Sequence, residues 1–378
     1  MEITNLSEKI LLKDYKISII RDVHEFEKLR DSWSELVENS ETTKSVFQTF
    51  GWNFQWWNTY GSNKSLLIIL IFDRNKLIGI MPLFRERFKL VKFLCINYIR
   101  FIGHSSSDYH DFIIRKNRVP IVMKLFDIFF RYSKIKYSSI ELDEIPSTSP
   151  TIGYLQRFND SYSKNFKIET SSICPQLPIP DNFENYNISL SRKSRKNLRR
   201  ELRELKSKFK INLLVSQSEA SDDIEKFIKL SNKSWSDKLT KGPFGSSYFR
   251  KFHWSLCQDK HFSKNIQFFK LYLDEELVSM LYTFNYKSSV FYYQIGYNPD
   301  FKKFSIGRMI IYLSIKHCIE AKINVFDFLR GQEEYKYRFG VSEKENKKVI
   351  IINKSFDRYA LYFPRKSFYE KSFSCCCR

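Results

Sequence analysis

The sequence predicts an α/β (α+β) protein of two tandem domains, each with a mixed, mostly antiparallel sheet flanked by helices. Three observations support this prediction. The 378 residues exceed the roughly 250 to 300 at which a single hydrophobic core stops growing. Aromatic residues make up 17% of the chain, which supplies apolar side chains for two cores. The predicted order of helices and strands in the first half recurs in the second half.

The elements of the first half follow from the spacing of apolar residues. Continuous or alternating apolar runs predict strands, and apolar residues three and four positions apart predict helices. A loop-rich region is expected between residues 85 and 114. The predicted elements are a strand at 16–20, helices at 24–38 and 47–61, strands at 66–72 and 77–84, a helix at 119–133, a strand at 138–142, a helix at 150–158 and a strand at 166–173.

The boundary between the predicted domains lies near residue 185. Residues 174–187 contain three of the ten prolines and are the predicted linker, because clustered prolines interrupt helices and strands. We therefore expect an N-terminal domain at residues 1–185, a C-terminal domain at residues 186–354, and a basic, aromatic tail at residues 355–378.

The second half repeats the element order with clearer patterns. A basic helix leads to a strand and two helices, and three consecutive apolar strands follow. The predicted elements are helices at 192–208, 221–236 and 246–259, strands at 210–215, 266–273, 276–286 and 289–298, a helix at 305–320, a strand at 325–329, and one or two turns of helix before a last strand.

Charge and composition limit the class of protein. Lysine and arginine outnumber acidic residues by 63 to 42, a formal charge of +21, which attracts phosphates, nucleic acid or anionic lipid over a long range. The longest uninterrupted apolar run, residues 66–72, is far shorter than the roughly 20 residues of a membrane-spanning helix. The first residues lack a signal-peptide pattern, and most cysteines stand singly. These features predict a cytoplasmic protein with reduced thiols.

A loop with basic and small residues opens a helix after the third consecutive strand, in NPDFKKFSIGRMIIYLSI at residues 298–315. Backbone N–H groups and the positive end of the helix dipole hold phosphates at such a turn. The loop resembles the acyl-CoA turn of the GNAT N-acyltransferase superfamily, whose pattern is Gln or Arg, two residues, Gly, one residue, and Gly or Ala. Here Lys302 replaces Gln or Arg, and Ser305 replaces the first Gly.

The resemblance implies that acetyl-CoA or another acyl-CoA binds at this turn. The implied cofactor-binding residues are Lys302, Lys303, Ser305, Ile306, Gly307 and Arg308. A second stretch, VFDFLRGQEEYKYRFG at residues 325–340, is a short strand, an Arg-Gly break and a polar helix. It resembles the signature of the double-GNAT branch that includes CelD-type proteins of bacterial polysaccharide clusters. Further shared marks are SVFQTFGWNFQWW (45–57), GIMPL (79–83), RFIGHSSSDYHDFII (100–114) and SRKNLRRELREL (194–205).

The same resemblance implies catalytic residues. In GNAT chemistry an amine attacks a thioester carbonyl, so a base must accept the amine proton and an acid must supply one to the thiolate. The superfamily often uses a tyrosine on the helix after the fifth strand as this acid. Tyr335 and Tyr337 both lie on that helix, and the resemblance favours Tyr335. Asp327 at the strand end and Glu334 on the helix are candidate bases. The alternative for Glu334 is an ion pair with Arg330 or Arg338 across a helical turn.

The stretch RFIGHSSSDYHDFII contains two histidines and two aspartates. Their spacing does not match a known metal site and the family uses no metal for this chemistry, so we predict none. The resemblance favours a polar loop at the acceptor site, with Tyr109 and His110 binding the acceptor and Arg330 as a further contact. A hydrogen-bonded loop between strands is the alternative.

Residues 192–210 hold ten basic and two acidic residues, with one leucine stripe that can face a core. The basic face is either a solvated surface or a surface for tRNA, polysaccharide or the cofactor phosphates. Fem-type peptidyltransferases share the tandem fold and use aminoacyl-tRNA, so tRNA-dependent transfer is the alternative function. A non-catalytic GNAT-fold protein that binds an anionic partner is a further one.

The predicted tail ends in three consecutive cysteines, Cys375, Cys376 and Cys377. Cys375 lies fourth from the last residue, as prenylation requires, and a lipid there would give peripheral membrane contact. An ordinary frayed tail is the favoured interpretation.

Overall fold

The computed structural model describes residues 4–6, 9–12, 14–91, 94–133, 135–162, 166–216, 220–236 and 241–353. The predicted tail at residues 355–378, with its three cysteines, lies outside these residues. The described chain divides into two compact units. Unit 1 runs to Ser172 and resumes at Glu345, and unit 2 is Ile173–Lys344.

Unit 1 is a sheet flanked by helices. Its apolar core is formed by strand residues such as Ile69 and Leu83 together with one face of the helix at Val119–Tyr132. The elements are β1 (Thr4–Leu6), β2 (Lys9–Leu12), β3 (Tyr15–Ile20), α1 (Val23–Glu27), α2 (Arg30–Glu38), α3 (Phe50–Tyr60), β4 (Lys64–Asp73), β5 (Lys76–Val91), β6 (Leu94–Phe101), β7 (Ile113–Ile114), α4 (Val119–Tyr132), β8 (Ser139–Pro146), α5 (Pro150–Tyr162) and β9 (Phe166–Pro178). A short 3₁₀ helix at Val46–Gln48 precedes α3.

Unit 2 has its own core, in which leucines of a basic helix pack with the apolar face of a long helix. The elements are α6 (Phe183–Ser189), α7 (Arg192–Lys208), β10 (Ile211–Ser216), α8 (Ala220–Ser234), α9 (Ser247–Gln258), β11 (Ile266–Leu273), β12 (Glu276–Tyr286), β13 (Ser289–Tyr297), α10 (Ile306–Glu320), β14 (Val325–Asp327) and α11 (Glu334–Tyr337). The last strand, β15 (Ser342–Ile352), begins in unit 2 and continues in unit 1. Short 3₁₀ helices lie at Pro243–Gly245, Ser263–Asn265 and Pro299–Phe304.

The two units repeat one topology. In unit 1 the strands follow the order β3-β4-β5-β6-β8, and in unit 2 they follow the order β10-β11-β12-β13-β14. Neighbours within each series pair antiparallel, except for the last pair of each, β6 with β8 and β13 with β14, which is parallel. In both units a helix, α4 or α10, connects the two parallel strands. The predicted tandem repeat with mostly antiparallel sheets is therefore present.

The division of the chain differs from the predicted boundary near residue 185. The predicted linker begins as strand, because Cys174–Pro178 continue β9 and Gln176–Pro178 pair with β14, up to Pro178 opposite Val325. Its second half enters α6, which Asn182 caps by accepting a hydrogen bond from the Asn185 N–H. The last strand also departs from the prediction, because β15 from Glu345 onward belongs to unit 1, where it pairs with β8.

The prediction of a loop-rich region after residue 84 is wrong for residues 85–91 and 94–101. There β5 continues to Val91 and pairs with β6 as a long hairpin. Charged and partly exposed side chains, such as Arg87 and Lys89, interrupt the apolar alternation that identifies a strand in sequence. Among the described residues no helix is both long and apolar enough to span a bilayer.

Candidate functional site

The parallel strands of unit 2 separate after their first residues. Pairing of β13 with β14 ends at Phe291 opposite Asp327, and β13 then continues to Tyr297. The register between β12 and β13 also shifts here, which leaves Tyr293 as a bulge residue. Bulges bend a strand and redirect its backbone groups. The second half of β13 is therefore not paired with β14, and we call it the uncovered half, at which we infer an opening.

The helix α10 begins beside this opening. Ser305 precedes it with φ 54° and ψ 35°, in the left-handed region. Glycine adopts this conformation without strain, which explains why the family pattern has glycine at this position. The Ser305 hydroxyl does not cap the helix but accepts a hydrogen bond from Arg308 Nη2 at 2.8 Å. We call residues 302–308 the phosphate turn.

The first turn of α10 offers backbone donors. The N–H groups of Arg308 and Met309 bond to the Ser305 carbonyl at 2.9 and 3.1 Å. Within the part of the chain that the structure describes, the N–H groups of Ile306 and Gly307 have no acceptor. Helix N-termini leave such groups for side chains, water or ligands, and the helix dipole adds positive potential. The phosphate turn can therefore bind an anion.

Gly307 lies next to the uncovered half of β13. A Cβ atom built on Gly307 would contact only Ile295 Cδ1, at 3.5 Å, within 4 Å. The space beside its backbone is otherwise open among the described residues. A ligand that contacts this helix end can therefore continue along β13.

The basic side chains at the phosphate turn differ in exposure and in pairing. Lys302 and Lys303 are exposed, and Lys303 lies 5.0 Å from the Phe304 ring centroid. Arg308 is already paired, because its Nη2 lies 2.7 Å from Glu201 Oε1 on α7. Burial raises the pKa of Glu201, whereas the nearby Arg308 lowers it. The two lysines are thus better placed than Arg308 to meet an incoming anion.

Asp327, a predicted base, holds the turn after β14. Its side chain is 1% exposed, and its Oδ1 accepts the Leu329 N–H at 2.7 Å while Oδ2 accepts Gln176 Nε2 at 2.8 Å. Leu329 has φ 57° and Gly331 has φ 115°, so the chain reverses sharply here. The carboxylate therefore stabilises an unusual backbone conformation.

The short helix α11 places the predicted acid. Tyr335 is partly buried against the core of unit 2 and donates a hydrogen bond from its hydroxyl to the Tyr292 hydroxyl on β13, at 3.4 Å. The other tyrosine of this helix, Tyr337, is exposed and donates to Glu343, which raises the pKa of Tyr337. Tyr335 is thus the tyrosine of this helix that contacts the uncovered strand.

Glu334 and Arg330 take no part in the contact between Tyr335 and β13. The Glu334 side chain is 88% exposed and pairs with Arg338 Nη2 at 3.0 Å, which is the alternative that the sequence left open. The Arg330 carbonyl accepts a hydrogen bond from Lys336 Nζ at 2.9 Å.

Two residues of this site were missed in the sequence. Tyr292 belongs to an apolar strand, and nothing in its pattern distinguishes it from a core residue. Lys336 stands in a charged run, yet its side chain is 2% exposed. The available signal was the position of Lys336 between two tyrosines in YKY. Neighbouring residues of one helical turn point in different directions, so the lysine can point inward while Tyr337 points outward.

The predicted acceptor residues Tyr109 and His110 belong to unit 1 and are buried. His110 Nδ1 and His104 Nδ1 lie 3.2 and 2.7 Å from the two carboxylate oxygens of Asp143. Burial alone would raise the pKa of Asp143, but the two imidazoles together hold it well below its usual range. Among the described residues no three His, Cys, Asp or Glu side chains are grouped so as to hold a metal ion.

Residues 192–337 match the family model described as an acetyltransferase (GNAT) domain. The match lies within unit 2 and includes α7, the phosphate turn and Tyr335. Residues 192–337 are therefore identified as a GNAT domain. GNAT domains bind acyl-CoA, and unit 2 has the fold of an acyltransferase. Membership of the CelD-type branch stays a prediction.

Solved structures with the same fold span both units. The structure of FemX has a TM-score of 0.63 and 13% identity, with 88% of this chain and 98% of that chain covered. A conserved protein of unknown function from Bacteroides thetaiotaomicron VPI-5482 has a TM-score of 0.51 and 9% identity, covering 86% and 97%. L-PGS from Bacillus licheniformis has a TM-score of 0.50 and 11% identity, covering 86% and 92%. At these identities the similarity establishes the fold alone. No curated protein matches the sequence.

The predicted two-domain GNAT fold is thereby confirmed.

Proposed function

We propose that unit 2 transfers an acyl group, with acetyl as the first candidate, from acyl-CoA to an amine of a small-molecule, sugar or peptide acceptor. The observation that carries this proposal is the uncapped first turn of α10 beside the uncovered half of β13. Tyr335 contacts the same strand through Tyr292. The proposed phosphate-binding turn and the proposed acid are thus both next to β13, which supports binding of the two ends of acyl-CoA along this strand.

The pyrophosphate of CoA would bind at the phosphate turn. The N–H groups of Ile306 and Gly307 donate to its oxygens, and Lys302 and Lys303 add charge from the side. Arg308 joins them if the phosphates draw it away from Glu201. The Ser305 hydroxyl holds Arg308 close to the turn. The pantetheine arm then follows β13 past Ile295 towards Tyr292.

The reaction forms a bond from the amine nitrogen to the thioester carbonyl carbon and breaks the carbon–sulfur bond. The amine loses a proton to a base or to water, and Tyr335 gives its proton to the departing thiolate. Both oxygens of Asp327 accept hydrogen bonds, and Glu334 is paired with Arg338. Tyr335 is the proposed acid. Asp327 and Glu334 remain the candidate bases despite these contacts, acting directly or through water.

The proposed acceptor contacts are those predicted from the sequence, namely Tyr109, His110 and Arg330. Arg330 lies on the turn between β14 and α11, two elements that carry proposed catalytic groups. Tyr109 and His110 belong to unit 1. Their burial fits a role in shaping a polar loop at least as well as direct acceptor contact.

The basic face of α7 supports an alternative, a polyanion such as aminoacyl-tRNA or another anionic partner. Only Leu198 and Leu205 of this helix are buried. The exposed basic residues of α7 are Arg192, Lys193, Lys196, Arg199, Arg200, Arg203, Lys206 and Lys208. An RNA complex would weaken steeply with salt.

Substitution of the proposed acid tests the reaction. We expect Tyr335→Phe to lower kcat by about 10²-fold, the usual size of a lost general acid, with CoA affinity nearly unchanged. Tyr337→Phe is the matched control on the same helix and should change kcat by less than about 3-fold. Rates are measured with acetyl-CoA by thiol release, and binding of CoA, acetyl-CoA and tRNA by calorimetry.

An unchanged rate in Tyr335→Phe would remove this tyrosine from the chemistry. Retention of tRNA through moderate salt, without binding of CoA at millimolar concentration, would replace the proposal by its alternative.

A further inference from the structure

We propose that Lys336 is a positioning residue for the acyl transfer: its buried ammonium group fixes the turn before α11 and thereby places Tyr335 against β13. The inference rests on the proposed function, since it assigns the means by which the acid of that reaction is held. Lys336 itself does not contact the reacting atoms.

The Lys336 ammonium group gathers the carbonyls of the turn. Its Nζ donates to the carbonyl oxygens of Arg330 at 2.9 Å, Gly331 at 3.1 Å and Leu329 at 3.4 Å. Glu333 Oε2 lies 2.9 Å from the same nitrogen. An ammonium group has three donors, so this arrangement uses all of them. These four acceptors all belong to residues 329–333.

Three carbonyl oxygens that point to one place repel each other unless a cation lies between them. The backbone reaches this arrangement through positive φ angles at Leu329 and Gly331, of which the first costs energy for a residue with a side chain. Gly331 also leaves room for the Glu333 carboxylate, because a Cβ there would lie 2.5 Å from Glu333 Oε2. The turn is therefore strained, and the buried charge compensates for the strain.

The helix that carries Tyr335 cannot hold itself in place. α11 has four residues, far fewer than the roughly 12 to 15 that an isolated helix needs. Asp327 fixes the beginning of the turn through the Leu329 N–H, and Lys336 fixes its end from within the helix. Tyr335 precedes Lys336 directly, so a displacement of the lysine moves the tyrosine hydroxyl relative to Tyr292.

The effect on Tyr335 can be separated from general stability by a double-mutant cycle. We expect Lys336→Met to lower kcat by about 10²-fold with the KM for acyl-CoA changed by less than about 3-fold. In a Tyr335→Phe background the same change should cost less than about 3-fold, because the group it positions is gone. Lys344→Met, which alters an exposed lysine of unit 2, is the control and should leave both constants unchanged.

Glu333→Gln keeps the inference testable if Lys336→Met does not fold. Glu333 is 41% exposed, so the variant should remain folded while it loses the ionic partner of the lysine. We expect kcat to fall by about 3- to 10-fold, and this loss to disappear in the Tyr335→Phe background. Equal losses in both backgrounds, for either variant, would overturn the positioning role.

A spectroscopic readout is independent of activity. With 3-fluorotyrosine at position 335, the ¹⁹F resonance should shift or broaden in Lys336→Met or Glu333→Gln and stay unchanged in Lys344→Met. An unchanged resonance in both turn variants contradicts the inference. If wild-type protein binds no CoA and transfers no acyl group, the proposed function fails, whereas the ¹⁹F result still decides whether Lys336 positions Tyr335.

Discussion

In unit 1 the parallel pair of β6 and β8 is followed by a segment filled with buried polar side chains, whereas in unit 2 the parallel pair of β13 and β14 is followed by an open helix end. Residues 102–118 connect β6 to α4, and residues 298–305 connect β13 to α10. Ser107, Asp108 and Asp111 in the first connection are at most 1% exposed. The same topology thus carries a closed polar network in one unit and free backbone donors in the other.

The N-termini of α4 and α10 differ in the same way as these two connections. Pro120 lies in the first turn of α4 and has no N–H group. In α10 the corresponding turn contains Ile306 and Gly307, with free N–H groups among the described residues. The shared topology therefore does not by itself create a binding site. The site depends on which residues occupy the connection after the parallel pair.

The largest expected effect concerns the buried ion pairs that close unit 1. Arg100 on β6 is 4% exposed and reaches Glu86 at 2.9 Å and Glu141 at 3.2 Å. Arg100→Met should lower the free energy of unfolding by about 3 kcal/mol, because it leaves buried carboxylates without their main partner. Lys64 and Lys348, each 3.3 Å from one of these carboxylates, keep the loss from being greater. CoA affinity should not change.

Urea unfolding followed by tryptophan fluorescence measures this loss. Four of the six tryptophans lie in unit 1, at positions 33, 52, 56 and 57. Arg87→Met on the exposed part of β5 is the control and should cost less than about 0.5 kcal/mol. A loss of CoA affinity in Arg100→Met with stability unchanged would mean that the unit 1 pair belongs to a ligand site.

A pH-dependent effect is expected from the buried Asp111 carboxyl in the unit 1 connection. Burial raises the pKa of Asp111 to about 7, against hydrogen bonds from Ser149 and the Phe112 N–H that lower it. Between pH 4 and pH 7 the folded state therefore holds a proton that the unfolded chain releases. The contribution of Asp111 to the free energy of unfolding is fully present at low pH. It falls by about 1.4 kcal/mol per pH unit as the pH rises.

Asp111→Asn should remove this contribution, so the difference in unfolding free energy between wild type and variant changes across pH 4.5, 5.5 and 6.5. The pH dependence that the other titratable groups of unit 1 contribute is the same in both proteins and cancels in the difference. A difference that stays constant with pH would show that Asp111 is ionised throughout this range.

The repeat and most elements of unit 2 could be predicted from the sequence. Strands β11, β12 and β13 are long and apolar, and α10 follows a clear turn, so local pattern and fold agree there. The loop-rich prediction failed for residues 85–91 and 94–101 because exposed charged side chains on β5 hide the apolar alternation of the strand. The boundary near residue 185 differs from the division after Ser172 because Gln176–Pro178 pair with a strand far away in sequence, and local sequence pattern does not reveal such pairing.

The candidate site was predictable only in part. The phosphate turn and Tyr335 came from a motif, and the structure adds that Ser305 has the left-handed conformation for which the motif uses glycine. The burial of Lys336 could not be inferred, because a lysine in a charged run is usually solvated. The contact of Tyr335 with Tyr292 joins residues that are 43 positions apart, and only the tertiary fold brings them together.

Titration of CoA into matched glycine variants tests most directly the claim that the anion site lies at the first turn of α10. Gly307 in α10 and Gly153 in α5 are helical glycines at which an added Cβ meets at most one ordinary contact, so valine should leave either unit folded. By calorimetry, we expect wild type and Gly153→Val to bind one CoA per chain with equal affinity. Gly307→Val should weaken binding by at least about 100-fold, near 2.7 kcal/mol, because the branched side chain blocks the approach of the phosphates. Equal CoA affinity in Gly307→Val and wild type, or a loss of binding in Gly153→Val alone, would contradict the account.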